Sequence, residues 1–163
     1  MKRAVCPGTF DPVTAGHVDI IERAASLLDE VVVAVALSPD KGGGPLFSQQ
    51  QRQDMISAAT AHLPNVRVRG FDTLLVELAR EEGAQVIIKG LRAVSDFERE
   101  FQMAQFNYRL RPEIETVFIM AIPEYMYLSS SAVKEIAGHG GDVRGLVPEV
   151  VAEAFAECFG TNL

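Results

Sequence analysis

"PGTFDPVTAGHVDIIERA", Pro7 to Ala24, is the stretch whose reading decides the fold. A run of strand formers, "RAVC" at 3–6, stops at Pro7-Gly8, and a segment of helical period begins after Gly16. Proline fixes φ and glycine admits angles that other residues avoid, so the pair marks a turn between a strand and a helix. The same alternation continues outward along the chain. Strand-like runs fall at 30–37 (EVVVAVAL), 65–70 (NVRVRG), 85–90 (QVIIKG) and 115–122 (ETVFIMAI), several of them continuously apolar. Continuous apolar runs suit strands covered on both faces, as in a parallel sheet.

Helical patterns lie between these runs. The first carries Val18, Ile21, Ala25 and Leu28; the second Met55, Ala58, Ala59 and His62-Leu63; the third Leu74, Leu75, Leu78 and Ala79. A fourth runs from about Asp96 to Arg109, a fifth from the serines at 129–131 to Gly138, and a last over 148–159 with Pro148 at its first helical position. This order predicts an α/β, three-layer, Rossmann-like fold with a five-stranded parallel sheet and right-handed crossovers. A chain of 163 residues is one ordinary domain, 1–163, able to bury about 70% of its unfolded surface without staples.

Composition narrows the function. A net charge of −7 repels polyanions, so binding along a nucleic acid or on an anionic membrane is not expected. A small anionic ligand can still be held where a few lysines and arginines converge. Cys6 and Cys158 lack the spacing of a metal knuckle or disulfide scaffold and read as core filler, which suits a reducing compartment. The opening "MKRAVCPGTF" has no stretch of signal or membrane-spanning length, so a cytoplasmic protein is expected.

Ligands of open parallel sheets bind beyond the carboxyl ends of the strands. The segments there are "PGTFDPVTAGH", "SPDKGGGP", "FDTLL", "KGLRAVSDFERE" and "PEYMYLSSS", rich in Gly, Thr, Ser, His, Lys and Arg. All five are expected to crowd one crevice with the chemistry of a phosphate site. The first delivers the chain to a helix N-terminus, whose unpaired N–H groups and positive dipole end favour an anion. Gly8 and Gly16 would allow backbone to approach a phosphate, and Thr9 adds a hydroxyl. Lys41 belongs to a glycine-rich loop hanging over the same crevice, and Lys89 and Arg92 flank a glycine at a strand's end. The serines at 129–131 exceed what a helix cap needs and suggest a second anion cradle. Phe97, Phe101, Ala104 and Tyr108 recur at helical spacing as core or subunit interface, with Glu98, Arg99 and Arg109 as the wet face. His62 and His139 sit in no comparable setting and read as structural or surface residues.

The T-x-G-H pattern of Thr14 to His17, following "GTFDP", resembles the nucleotidylyltransferase superfamily, in which this histidine contacts the triphosphate of a bound nucleotide. With "KGLRAVSDFEREFQMAQFN" and "LSSS" included, essentially the whole chain resembles the phosphopantetheine adenylyltransferases of coenzyme A biosynthesis. The resemblance implies ATP contacts from Thr9, Phe10, His17, Gly90, Leu91, Arg92, Glu100, Tyr125, Met126, Tyr127, Leu128, Ser129, Ser130 and Ser131. It implies phosphopantetheine contacts from Thr9, Lys41, Leu75 and Lys89, with His17, Lys41 and Arg92 as the catalytic group. It further implies a homohexamer and feedback inhibition by coenzyme A. The chain departs from the family where Lys89 replaces a frequent arginine, losing its bidentate fork. Arg99 stands at an often aromatic position, and "GGG" at 42–44 is longer than usual.

The reaction so implied is attack by the phosphate of 4'-phosphopantetheine on the α-phosphorus of ATP, giving dephospho-coenzyme A and pyrophosphate. A phosphate monoester is largely dianionic at neutral pH, with a second pKa near ~6, so no general base is required. That agrees with loops holding no acid–base pair and no nucleophilic cysteine. Magnesium is expected with ATP, bound by phosphates and water rather than by a carboxylate cage. Asp11 and Glu100 stand where they could approach the ligand, Asp11 being equally plausible as a turn residue, and neither reads as a metal ligand. The rivals are a nicotinamide mononucleotide adenylyltransferase, a cytidylyltransferase, and a nucleotide-sensing module without turnover.

Overall fold

The structure, a computed structural model, describes residues 1–37, 44–92 and 94–160. Five strands, β1 (Arg3–Gly8), β2 (Glu30–Ala36), β3 (Val66–Phe71), β4 (Val86–Leu91) and β5 (Glu115–Met120), form one parallel sheet in the order β3-β2-β1-β4-β5. The helices are α1 (Ala15–Leu27), α2 (Gln49–Ala59), α3 (Leu75–Glu81), α4 (Val94–Leu110), α5 (Ser130–Gly138) and α6 (Glu149–Phe159). The α/β, Rossmann-like class expected from the sequence is the one observed.

Both faces of the sheet are apolar, as the continuous runs require. Alternate residues of β2 point to opposite sides: Val31, Val33 and Val35 join the cluster covered by α1, α2, α5 and α6, and Val32 and Ala34 join a second one with Val76, Leu78 and Ala79 of α3. α4 lies against β4, β5 and α3. The chain therefore changes sides of the sheet between β1 and β4, the switch point at which such folds bind ligands.

Several local expectations need correction. α2 ends at Ala59, where the Thr60 hydroxyl donates back to the Ile56 carbonyl (2.8 Å), so His62 and Leu63 lie in the turn beyond. Pro148 occupies the N-cap and not the first helical position. Cys6 is buried, but Cys158, in the last turn of α6, is exposed. The aromatic positions of α4 are no core either: Phe97, Phe101, Phe106 and Tyr108 are each about half exposed.

Candidate active site

The β1–β4 ladder stops after Val5↔Ile87, whereas β1–β2 continues to Gly8↔Val35 and β4–β5 to Leu91↔Met120. The strands on either side of the switch point thus part at their carboxyl ends. A cavity of about 630 Å³ opens in the gap, a size suited to a small-molecule ligand. Its lining joins the end of β1, the start of α1, the end of β4, the first turns of α4 and the start of α5.

Of the residues singled out in the sequence, Thr9, Phe10, His17, Lys89, Gly90, Leu91, Arg92, Glu100, Tyr125, Leu128, Ser129, Ser130 and Ser131 all line this cavity. Met126 and Tyr127 are exposed in the turn that leads to α5 and are not part of the lining. Lys41 lies outside the described residues, as do Gly42 and Gly43 of the glycine loop. Leu75 does not reach the cavity: it packs against the α3-side cluster. β3 lies at the edge of the sheet, two strands away from the β1–β4 gap.

His17 is the third residue of α1 and half of a capping box. The Thr14 hydroxyl accepts the His17 N–H (3.4 Å), and the Thr14 N–H donates to Nδ1 of His17 (3.0 Å). Glutamate or glutamine usually fills this return position. With Nδ1 accepting, the neutral ring carries its proton on Nε2, which is left to donate to a bound anion. Burial, with the Arg92 charge adding to it, pushes the His17 pKa down from 6.5 to about 4. The ring is therefore a neutral donor at physiological pH. Since an unfolded histidine takes up a proton near 6.5, stability that the neutral ring retains above this pH is lost progressively as pH falls toward 4. Titration of the His17 ring by NMR should show a midpoint near pH 4, and one at or above 6.5 would contradict this environment.

Phe10 holds that ring from the side, edge to face at 5.1 Å between centroids and 72° between planes. Its φ of +49° lies in the left-handed region, which costs a residue other than glycine about 1–3 kcal/mol and persists only where the surroundings impose it. Gly8 makes room for the Phe10 ring, because a Cβ there would come within 2.8 Å of it. At Gly16 a Cβ would press on Tyr125 at 3.2 Å. The two glycines thus admit protein side chains as well as leaving backbone bare at the cavity.

The cations are aimed by carboxylates. Lys89 Nζ lies 3.1 Å from Glu100 of α4; Arg92 donates from Nε to Asp96 (3.1 Å) and from Nη1 to the Leu128 carbonyl (2.7 Å). Across the cavity, Ser129 caps α5 by accepting the Ala132 N–H (3.1 Å), and Ser130 donates to the Pro12 carbonyl (2.8 Å). One serine closes the helix, the next ties it to the first loop, and Ser131 lines the cavity. Cys6 also lines it, and burial pushes its thiol up to about 12, so it offers no thiolate. Among the described residues no group of three or more His, Cys, Asp or Glu is placed to hold a metal ion. His62, paired with Glu22 at 2.8 Å, and His139, at the C-cap of α5, lie apart from the cavity.

Two positioning roles are not evident from the motifs: Thr14, whose T-x-x-H spacing forms a capping box with His17, and Asp96, four residues beyond the arginine it orients. A neutral imidazole donor, two tethered cations and two helix starts suit the alignment of phosphates, the task of a nucleotidyltransferase. Comparison with known proteins agrees, since residues 5–136 match the cytidylyltransferase-like family. The chain is 53% identical to a phosphopantetheine adenylyltransferase of Heliobacterium modesticaldum, over 100% of this chain and 96% of that one. It is 55% identical to one from Caldanaerobacter subterraneus, over 98% of each, and 54% identical to one from Rubrobacter xylanophilus, over 99% and 98%. The chain belongs to the phosphopantetheine adenylyltransferase family.

Proposed function

We propose that the chain transfers the adenylyl group of ATP to 4'-phosphopantetheine by direct in-line displacement. The observation that carries this reading is the convergence of His17, Lys89 and Arg92 on the one gap in the sheet, between the starts of α1 and α5. An oxygen of the acceptor phosphate forms a bond to the α-phosphorus of ATP, and the bond from that phosphorus to the bridging oxygen breaks. Pyrophosphate leaves with the electron pair. The acceptor is already a dianion above its second pKa, near ~6, so no residue needs to take a proton. The work left to the protein is to hold two like-charged molecules in line and to stabilise charge moving onto the leaving group.

His17 Nε2–H and the Arg92 guanidinium supply that stabilisation, joined by the N–H groups at the two helix starts. Lys89, kept in place by Glu100, and Lys41 take the acceptor phosphate. Magnesium enters as part of the MgATP substrate. Incubation with ATP, magnesium and 4'-phosphopantetheine, followed by mass detection, should yield dephospho-coenzyme A; CTP should not replace ATP. Absence of that product, or equal use of CTP, would overturn the reading.

Coenzyme A carries both the pantetheine arm and an adenosine group, so it fits the same cavity and is proposed as a feedback inhibitor. No described helix is long and apolar enough to cross a membrane. Two free thiols are compatible with a reducing compartment, and the cytoplasm is the location we propose. The half-exposed apolar positions of α4, with Val117 and Met120 of the edge strand β5, support self-association; the homohexamer implied by the resemblance is the assembly we propose. Light scattering coupled to size exclusion should give six times the mass of the 17.8 kDa chain; a monomer across micromolar concentrations would refute it.

A further inference from the structure

Arg52 of α2 is only 1% exposed, the bulkiest of the fully buried side chains among the described residues, and adenylyl transfer as described gives it no task. Its Nη1 donates to the Thr9 carbonyl (2.6 Å) and to the Ala36 carbonyl (3.0 Å), and its Nε donates to the Phe47 carbonyl (3.1 Å). These acceptors belong to three separate segments: the loop after β1, the end of β2 and the approach to α2. Burying a guanidinium is costly unless its N–H groups are satisfied, and an apolar side chain would fill the same space without that cost. What the arginine adds is geometry.

Asp11 completes the arrangement from the other side. Its buried carboxylate accepts the N–H groups of Leu46 and Phe47, each at 3.0 Å, and lies 2.6 Å from Lys134 Nζ. Phe10 stands between the two tethered residues, Thr9 and Asp11, and is the residue in the left-handed conformation. Its ring fills the space over Gly8 and meets the His17 imidazole.

We infer that Arg52 is a positioning residue for adenylyl transfer: a three-armed clamp that fixes the Thr9 carbonyl, through it the turned backbone of Phe10, and through the Phe10 ring the aim of His17. The inference rests on the reaction proposed above. It predicts a defect in turnover rather than in ground-state binding, because His17 acts on charge that develops in the transition state.

The test compares Arg52→Met and Arg52→Lys with the unaltered chain, recording kcat, KM for ATP and thermal melting in the dephospho-coenzyme A assay. The methionine variant should lose ~10-fold or more in kcat, with KM for ATP within ~3-fold, in a protein that melts cooperatively. A lysine ammonium can serve the Thr9 and Ala36 carbonyls that share Nη1 but leaves Phe47 without its partner. That variant should fall between, ~2- to 5-fold below the unaltered kcat. The clamp is overturned if folded Arg52→Met keeps full turnover, or if Arg52→Lys equals either the unaltered chain or the methionine variant. Should the methionine variant not fold, the lysine variant decides alone, since unchanged kcat excludes the third arm. An unaltered chain that forms no dephospho-coenzyme A removes the proposed reaction and the clamp with it, a result distinct from any difference between variants.

Discussion

His17→Ala lowers kcat by ~10²-fold or more, the usual cost of deleting one preorganised donor to developing charge. KM for ATP changes far less, because the lost hydrogen bond strengthens as negative charge moves onto the leaving pyrophosphate. The substitution also removes half of the capping box, since Nδ1 no longer accepts the Thr14 N–H. Loss of a cap interaction costs about 1 kcal/mol. For a chain of this length that lowers Tm by about 2–4 °C. The two effects separate in His17→Gln. Glutamine is a regular partner in this box and can accept the Thr14 N–H, so the melting temperature should return toward that of the unaltered chain. Turnover should stay low, since the neutral Nε2 donor facing the cavity is gone. Steady-state kinetics and calorimetry on the two variants check both halves. If His17→Gln recovers turnover along with stability, the histidine is a cap and no more.

Lys89→Ala should cost ~10²-fold in kcat/KM for 4'-phosphopantetheine. Two losses combine in that number. The acceptor phosphate loses a cation, and Glu100, now without its partner at 3.1 Å, is left as a bare carboxylate in a cavity meant for phosphates. Removing one member of a partly buried charge pair is costly mainly because of what happens to the other. The double variant Lys89→Ala with Glu100→Gln should therefore recover ~5-fold or more relative to Lys89→Ala alone, a positive coupling of the kind that neighbouring charges show. Initial rates at varied 4'-phosphopantetheine measure it. Equal rates for the single and double variants would mean that Glu100 does not oppose the substrate.

Much of this molecule was legible because its sheet is parallel. Val31 to Val35 can be continuously apolar only if both faces of β2 are covered, and that pattern with intervening helices leads directly to a three-layer fold. The cavity followed from the rule that ligands meet the carboxyl ends of strands, and His17, Lys89 and Arg92 do converge there. What the pattern did not carry is strand order. The segments after the strands look equivalent in sequence, yet β3 lies at the sheet edge and Leu75 packs against the α3-side cluster.

Long-range polar partners were equally hidden. Arg52 sits in a glutamine-rich, polar stretch that reads as a solvated helix face, and nothing local signals that it reaches a carbonyl 43 residues earlier. Asp11 read equally as a turn residue or as a group near the ligand, and its grip on the N–H groups of Leu46 and Phe47 appears only once the chain has folded back. The aromatic spacing of α4 left core and interface undecided. Packing answers the first half, because α3 and the sheet cover one side of that helix and the phenylalanines stand on another.

In the proposed reaction the two substrates react directly with each other inside the β1–β4 gap, without an adenylylated side chain between them. The stereochemical course at the α-phosphorus tests it most directly, using ATP made chiral there by oxygen isotopes. A single in-line displacement inverts the configuration in dephospho-coenzyme A, and inversion is the predicted result. Retention would require two successive displacements through an enzyme nucleophile, and would contradict the account.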